Sequence, residues 1–386
     1  MRALGLASVP QDPVTPVPGE AANASGADRV AATARRMLAT QGQDWRASRW
    51  ALGVRTPGST TDDVAAAFGA GQIVRSWPMR GTIHVVAAED IGWMQGVTNR
   101  RVLAGAPRRR AIIGLSDTDL DRLVEVSLAA LRGGVALDRD GLAATWTAAG
   151  IAWQPGWRYH VIWWLCQNGL TTFGPTRENG EPLLVRADEW ITSPRRLSGD
   201  AALAELAARY AAARGPISER DLAWWAGLTL TDTRRGLAAA REAGRLVEAR
   251  LGDAAGPTLW LDPGALEWLE TAAAPAASPA ADWVLLPAFD EHLLGYTDRS
   301  AQLAGEHAPL VVPGRNGVFL PTVVSAGRVR GTWRRGTRAG SGIEVTPFPG
   351  ESVDLDALAP AAELWQRFSG VDPVPPRIVP AERLGS

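Results

Sequence analysis

A chain of 386 residues and 41.0 kDa exceeds the usual size of one domain, so two or more packed units are expected. Its hydrophobic share of 46% and mean hydropathy of -0.07 are those of a soluble globular protein, and no stretch approaches the roughly 20 apolar residues of a membrane span. The formal charge of -1 excludes a nucleic-acid binder held by bulk electrostatics; any basic face must be local, and it is built from arginine, because the sequence contains no lysine.

The first residues lack a basic region followed by an apolar one, and the single cysteine, Cys166, excludes an intramolecular disulfide, so a reducing cytoplasm is the expected compartment. Cys166 lies in Val161-Ile162-Trp163-Trp164-Leu165-Cys166 with no CxxC partner and reads as an inert core thiol. The 17 tryptophans read mostly as large apolar fillers at the junctions of packed units.

Residues 1–26 are rich in Pro, Ala, Gly and Ser without periodicity and are expected to form a leader outside the fold. From Ala27, Val30, Ala34, Met37 and Leu38 repeat at helical spacing up to Gln41-Gly42, where glycine is a natural terminator. Asp44 caps a second helix running to about Val54, and Thr60 or Thr61 a third running to about Gly69. Two β-prone runs follow, Ile73 to Trp77 and Thr82 to Val86, around Pro78-Met79-Arg80-Gly81. Three helices and a hairpin is the order of a winged helix.

That order recurs twice. Leu120 to Leu131, Asp140 to Ala149 and Trp157 to Gln167 are helical, and a hairpin runs from Leu170-Thr171-Thr172-Phe173 through Glu178-Asn179-Gly180 to Leu183-Leu184-Val185. In the third copy Ala201 to Ala213, Glu219 to Ala226 (capped by Ser218, with Asp221 completing a capping box) and Thr231 to Ala243 precede strands at Leu246 to Arg250 and Thr258 to Leu261. After a linker at 271–281, strands are expected at Trp283 to Leu286, Leu310 to Val312, Val318 to Ser325, Arg328 to Arg334 and Ile343 to Pro347, with a hairpin turn at Ala326-Gly327 and a last helix from about Asp354 to Phe368. The expected fold class is therefore α+β: winged helices over residues 27–115, 116–198 and 199–270, then a β-rich, barrel-like domain over 282–386.

Four local strings together resemble one family, the winged-helix DNA glycosylases of the AlkZ and YcaQ type. They are Gln41-Gly42-Gln43-Asp44; Trp77-Pro78-Met79-Arg80-Gly81-Thr82-Ile83-His84; Leu286 to Tyr296 with Asp298-Arg299; and Gly331-Thr332-Trp333-Arg334-Arg335. The resemblance covers nearly the whole chain after the leader. It implies that Gln41 and Gln43 are the catalytic pair of the family's Gln-Φ-Gln motif, in which Φ is aliphatic; Gly42 departs from that pattern and is expected to loosen the backbone. It also implies double-stranded DNA carrying alkyl adducts as the partner; a monomer without a cofactor is expected, and the absence of lysine makes the expected enzyme monofunctional.

The chemistry such a pair can support is narrow. A purine alkylated at N7 is already cationic and departs as a neutral base, so the transition state is oxocarbenium-like at C1′ and a weakly nucleophilic water suffices once it is held in place. A carboxamide can accept from that water with its oxygen and donate with its nitrogen. Around the pair, Asp44, Arg80, Thr82 and His84 are candidate supports or DNA contacts. Arg80 reads as a phosphate ligand or an ordinary exposed arginine, and His84, alternating with Ile83 and Val85, as a site contact or a satisfied polar histidine. Asp290, Glu291 and His292 read as braces of the site more than as metal ligands, with Arg299 pairing to Asp290 or Glu291 or reaching a phosphate. Trp333 and Arg334 touch the duplex or simply pack. The lack of lysine removes the side-chain amine that a strand-cleaving Schiff base needs. Bulky or cross-linked N7-alkylpurines are the expected substrates, with protection of a genotoxin producer as a role; the rival reading is a non-catalytic winged-helix DNA-binding or regulatory protein.

Overall fold

The computed structural model describes residues 1–6, 24–177, 180–252, 256–271, 283–315, 317–337 and 342–380. The first helix, Gly26–Met37, starts at a capping box in which Ser25 and Asp28 satisfy each other's backbone N–H, and it buries Val30, Ala31, Ala34 and Met37 on one face. It stops sooner than the apolar spacing suggested. Leu38, fully buried, takes a left-handed conformation (φ 64°), and the chain turns there so that Thr40–Gln41 becomes a short strand, β1. Helices Trp45–Gly53 and Thr61–Gly69 follow, capped by Asp44 and Thr60 as expected. Strands β2 (Ile73–Met79) and β3 (Thr82–Ala87) are joined through Arg80-Gly81, both at positive φ, the twist that a tight hairpin requires.

Three helices not anticipated come next, Ile91–Thr98, Arg100–Ala104 and Ala106–Ile113. The second series is Asp117–Ala130, Arg139–Ala148 and Pro155–Gln167, then β4 (Thr171–Thr176) and β5 (Pro182–Arg186); Glu178-Asn179 of its expected turn lies outside the described residues. The third is Gly199–Arg214, Glu219–Ala226 and Leu230–Glu242, then β6 (Val247–Arg250) and β7 (Thr258–Leu261). The order of three helices and a hairpin thus recurs as expected. A further short helix, Pro263–Thr271, follows β7 and reaches the first residue of the expected linker, the rest of which, 272–281, lies outside the described residues.

The hairpins are not all separate. The first two share one five-stranded sheet in the order β1-β3-β2-β4-β5, with Arg75 of β2 opposite Phe173 of β4, whereas β6 and β7 form a separate two-stranded sheet. The C-terminal strands β8 (Trp283–Leu286), β9 (Thr322–Ser325), β10 (Arg328–Arg335), β11 (Ile343–Pro347) and β12 (Arg377–Ile378) form a second sheet in the order β12-β11-β10-β9-β8. That sheet is open, with β8 and β12 at opposite edges, so the barrel-like closure expected of this region is not found among the described residues. Leu310, expected in a strand, lies in helix Ala308–Val311: Pro309 opens the turn, and a run of three apolar residues carries no period to separate helix from strand.

Three apolar cores hold these elements together. One joins Val30, Met37 and Phe68 to Leu285, Val323, Val345 and Leu358 of the C-terminal region. Another joins Leu38, Val74, Val86 and Met94 to Leu206, Tyr210 and Trp225, and the last joins Trp77 and Ile83 to Leu123, Trp146, Leu165 and Phe173. The β2–β3 hairpin feeds all three, through Ile73, Val74 and Trp77. The N-terminal segment expected to stay outside the fold begins inside it: Leu4 and Leu6 are buried in the first core, and Arg55 Nε donates to the Leu4 carbonyl at 2.8 Å. Residues 7–23 lie outside the described residues. No helix among those described is long and apolar enough to cross a membrane.

Candidate active site

The Gln41-Gly42-Gln43 turn is fixed from two sides. On one, β1 pairs with β3, placing Thr40 opposite Val85 and Gln41 opposite His84, and Gly42 N–H donates to the Ile83 carbonyl at 2.8 Å. On the other, Arg75 Nε donates to the Gly42 carbonyl at 2.8 Å and Nη2 to the Gln43 carbonyl at 3.3 Å, while Nη1 reaches Glu181 at 3.1 Å. Arg75 is buried and the only charged residue of β2, and these carbonyls with Glu181 satisfy its guanidinium there. Sequence reasoning passed over it, although a lone arginine in Ile73-Val74-Arg75-Ser76-Trp77 is a charge that must find partners.

The two carboxamides touch. Gln41 Nε2 donates to Gln43 Oε1 at 3.3 Å, and Gln41 Oε1 accepts from Gly42 N–H at 3.0 Å. Gln41 is buried and Gln43 exposed, so the pair runs from the sheet to the surface. Gly42 is not loose. A Cβ there would lie 3.0 Å from the His84 backbone, so the glycine lets β1 close on β3.

The expected supports divide. Asp44 caps the Trp45–Gly53 helix by accepting from Ala47 N–H at 2.9 Å, and Thr82 lies in the hairpin turn, its hydroxyl donating to the Met79 carbonyl at 3.5 Å. His84 is wholly buried. Its Nδ1–H donates to the Thr82 carbonyl at 3.0 Å, and its Nε2 has no hydrogen-bond partner among the described residues. Burial first, then the neighbouring Arg80 cation, pulls its pKa down to about 3, so it is a neutral imidazole at physiological pH.

Asp290 and Glu291 are each paired with a buried arginine. Asp290 accepts both terminal nitrogens of Arg55 at 2.8 Å and caps helix Glu291–Leu294; burial alone would raise its pKa, but Arg55 and these hydrogen bonds hold it below the usual carboxylate range. Glu291 Oε2 accepts from Arg214 Nη2 at 2.7 Å, from Arg214 Nε at 3.0 Å and from Trp225 Nε1 at 2.9 Å. Arg214 then donates to the carbonyls of Met37 and Ala39, so Glu291 anchors the backbone immediately before β1 through one buried guanidinium. His292 faces elsewhere: its Nε2 meets the Gly327 carbonyl at 3.0 Å, and burial pulls its pKa down to about 4. Arg299 pairs with neither Asp290 nor Glu291; its Nε donates to the Leu293 carbonyl at 2.6 Å.

Trp333 packs in the interior. It is buried, donates from Nε1 to the Leu286 carbonyl at 2.8 Å and meets Trp365 edge to face. Arg334 beside it pairs with Glu344 at 2.8 Å. Among the described residues no three His, Cys, Asp or Glu side chains are grouped to hold a metal ion.

Comparison with known proteins gives this architecture a class, that of the DNA glycosylases. Residues 34–368 match the family described as DNA glycosylase AlkZ-like, and the chain belongs to that family. It is 27% identical over 360 residues to an interstrand DNA cross-link repair glycosylase of Streptomyces sahachiroi, across 89% of this chain and 92% of that one. The solved structure of the Streptomyces sahachiroi DNA glycosylase AlkZ superposes with a TM-score of 0.72 at 24% identity, over 91% of this chain and 94% of that one, so the fold is shared.

Proposed function

We propose that this chain is a monofunctional DNA glycosylase that hydrolyses the N-glycosidic bond of bulky or cross-linked N7-alkylpurines. The observation that carries the reading is the contact between Gln41 and Gln43 on a turn pinned by β3 and Arg75. Such a turn holds two carboxamides where a flexible loop would not, and a water placed by them needs no general base if the leaving group is already cationic. The water oxygen bonds to C1′ as the C1′–N9 bond breaks; the bonding pair neutralises the alkylated purine, and the water's proton leaves to solvent. The cross-link repair relative favours a bulky lesion, and self-protection of a genotoxin producer is a role that fits it. The recurrent units of three helices and a hairpin act as winged helices that present the turn to the duplex. A monomer in the cytoplasm completes the reading.

The test is excision. Duplex DNA carrying a single 7-methylguanine or a larger N7 adduct is incubated with the protein and heated in alkali. Strand breaks at the lesion are expected, and Gln43→Ala is expected to slow them about 100-fold under single-turnover conditions while binding the same DNA. Inertness of the wild type on every N7 adduct, with DNA binding retained, would leave a non-catalytic DNA-binding protein in place of the enzyme.

A further inference from the structure

Two adjacent tryptophans on helix Glu219–Ala226 have opposite fates. Trp225 is fully buried and donates to Glu291, whereas Trp224 is 38% exposed and has no hydrogen-bond partner among the described residues. Two guanidiniums converge on the exposed ring. The ζ carbon of Arg80 lies 4.8 Å from its centre and that of Arg299 lies 5.4 Å away.

Neither arginine has a carboxylate within ion-pair distance among the described residues. Both are nevertheless held. Arg80 sits at positive φ in the β2–β3 turn, and its Cγ lies 3.1 Å from where a Cβ of Gly227 would be, so the hairpin tip docks against the end of the Trp224 helix because Gly227 has no side chain. Arg299 is tied at its Nε to the Leu293 carbonyl, and its ring contacts also include Phe319 at 5.3 Å. In a chain of net charge -1, two part-exposed arginines with no carboxylate in ion-pair contact among the described residues, Glu291 and Asp221 acting on them only from farther off, make this open indole a local positive aromatic surface.

We propose that Arg80, Trp224 and Arg299 form a nucleotide platform, in which the indole stacks on a neutral base and the two guanidiniums hold the neighbouring phosphates. The polymer being DNA rests on the glycosylase reading above. The base is an unmodified one flanking or opposing the lesion, because a cationic alkylpurine would be repelled by two guanidiniums already on the ring. Arg80 shares its hairpin with His84, the cross-strand neighbour of Gln41, so a strand gripped here is fixed relative to the catalytic turn.

The platform is read in binding and not in chemistry. With full-length protein and a labelled unmodified duplex, Trp224→Ala is expected to weaken affinity about 5- to 100-fold with the salt dependence unchanged, and Trp224→Phe to keep most of it. Arg80→Gln and Arg299→Gln are each expected to reduce the slope of log affinity against log salt by about 1. Wild-type affinity in Trp224→Ala, or an unchanged slope in both arginine variants, overturns the proposal; if Trp224→Ala fails to fold, the arginine variants decide. Excision without these binding effects sinks the platform alone, and these binding effects without wild-type excision sink the glycosylase reading alone.

Discussion

Gly42 has ordinary backbone geometry, so what its missing side chain supplies is space. Gly42→Ala places a methyl group 3.0 Å from the His84 backbone and requires β1 or β3 to give by a few tenths of an ångström; a loss of about 1–3 kcal/mol in urea unfolding is expected, with slower excision as Gln41 moves. His84 makes a second residue-scale prediction. In the unfolded chain it gains a proton near its ordinary pKa of 6.5, but in the fold only near 3, so the unfolded state binds more protons between those values. Stability contributed by His84 is present above pH 6.5 and falls as the pH drops towards 3, by up to about 1.4 kcal/mol per pH unit. His84→Gln should flatten part of that fall in urea midpoints measured between pH 7 and 4.5, and a titration of His84 should be absent from excision rates between pH 5 and 8.

At the scale of elements, the buried Glu291–Arg214 pair ties helix Glu291–Leu294 and helix Gly199–Arg214 to the approach to β1. Glu291→Ala leaves a guanidinium buried without its carboxylate and is expected to cost about 3–5 kcal/mol, measured by chemical unfolding. Adding Arg214→Met should restore much of the stability and little of the excision, because the Met37 and Ala39 carbonyls still lack the donor that sets β1. These elements were unequally legible in the sequence. Caps and periodicity located helix Glu219–Ala226 and hairpin β2–β3 well, because each is specified by its own side chains. Strand β1 was not legible: two residues show no alternation, and the left-handed Leu38 that ends the first helix is imposed by its burial in a core made with distant helices. The contact between Gln41 and Gln43 was foreshadowed by their string, while Arg75, Arg214 and Trp224 were not singled out, since their surroundings depend on which carbonyls, carboxylates and cations the fold brings to them.

For the molecule as a whole, the lack of lysine makes a chemical prediction independent of geometry. Borohydride added during excision should trap no covalent protein–DNA adduct, and a trapped adduct would point to an amine nucleophile. The first core raises a different matter, the order in which the chain can fold. Trp50 donates to the Leu285 carbonyl and Arg55 to Asp290, both across 235 positions of sequence, and the apolar face of the first helix is completed by Val323, Val345 and Leu358. During synthesis, the helices that flank the Gln41-Gly42-Gln43 turn therefore emerge long before the strands that cover them. Closing so long a loop adds conformational cost and slows folding, so the N-terminal half waits with Arg55 unpaired and its apolar face open. A nascent chain arrested before Asp290 leaves the ribosome without that cover, and this glycosylase reaches its native core only once nearly all of it has been made.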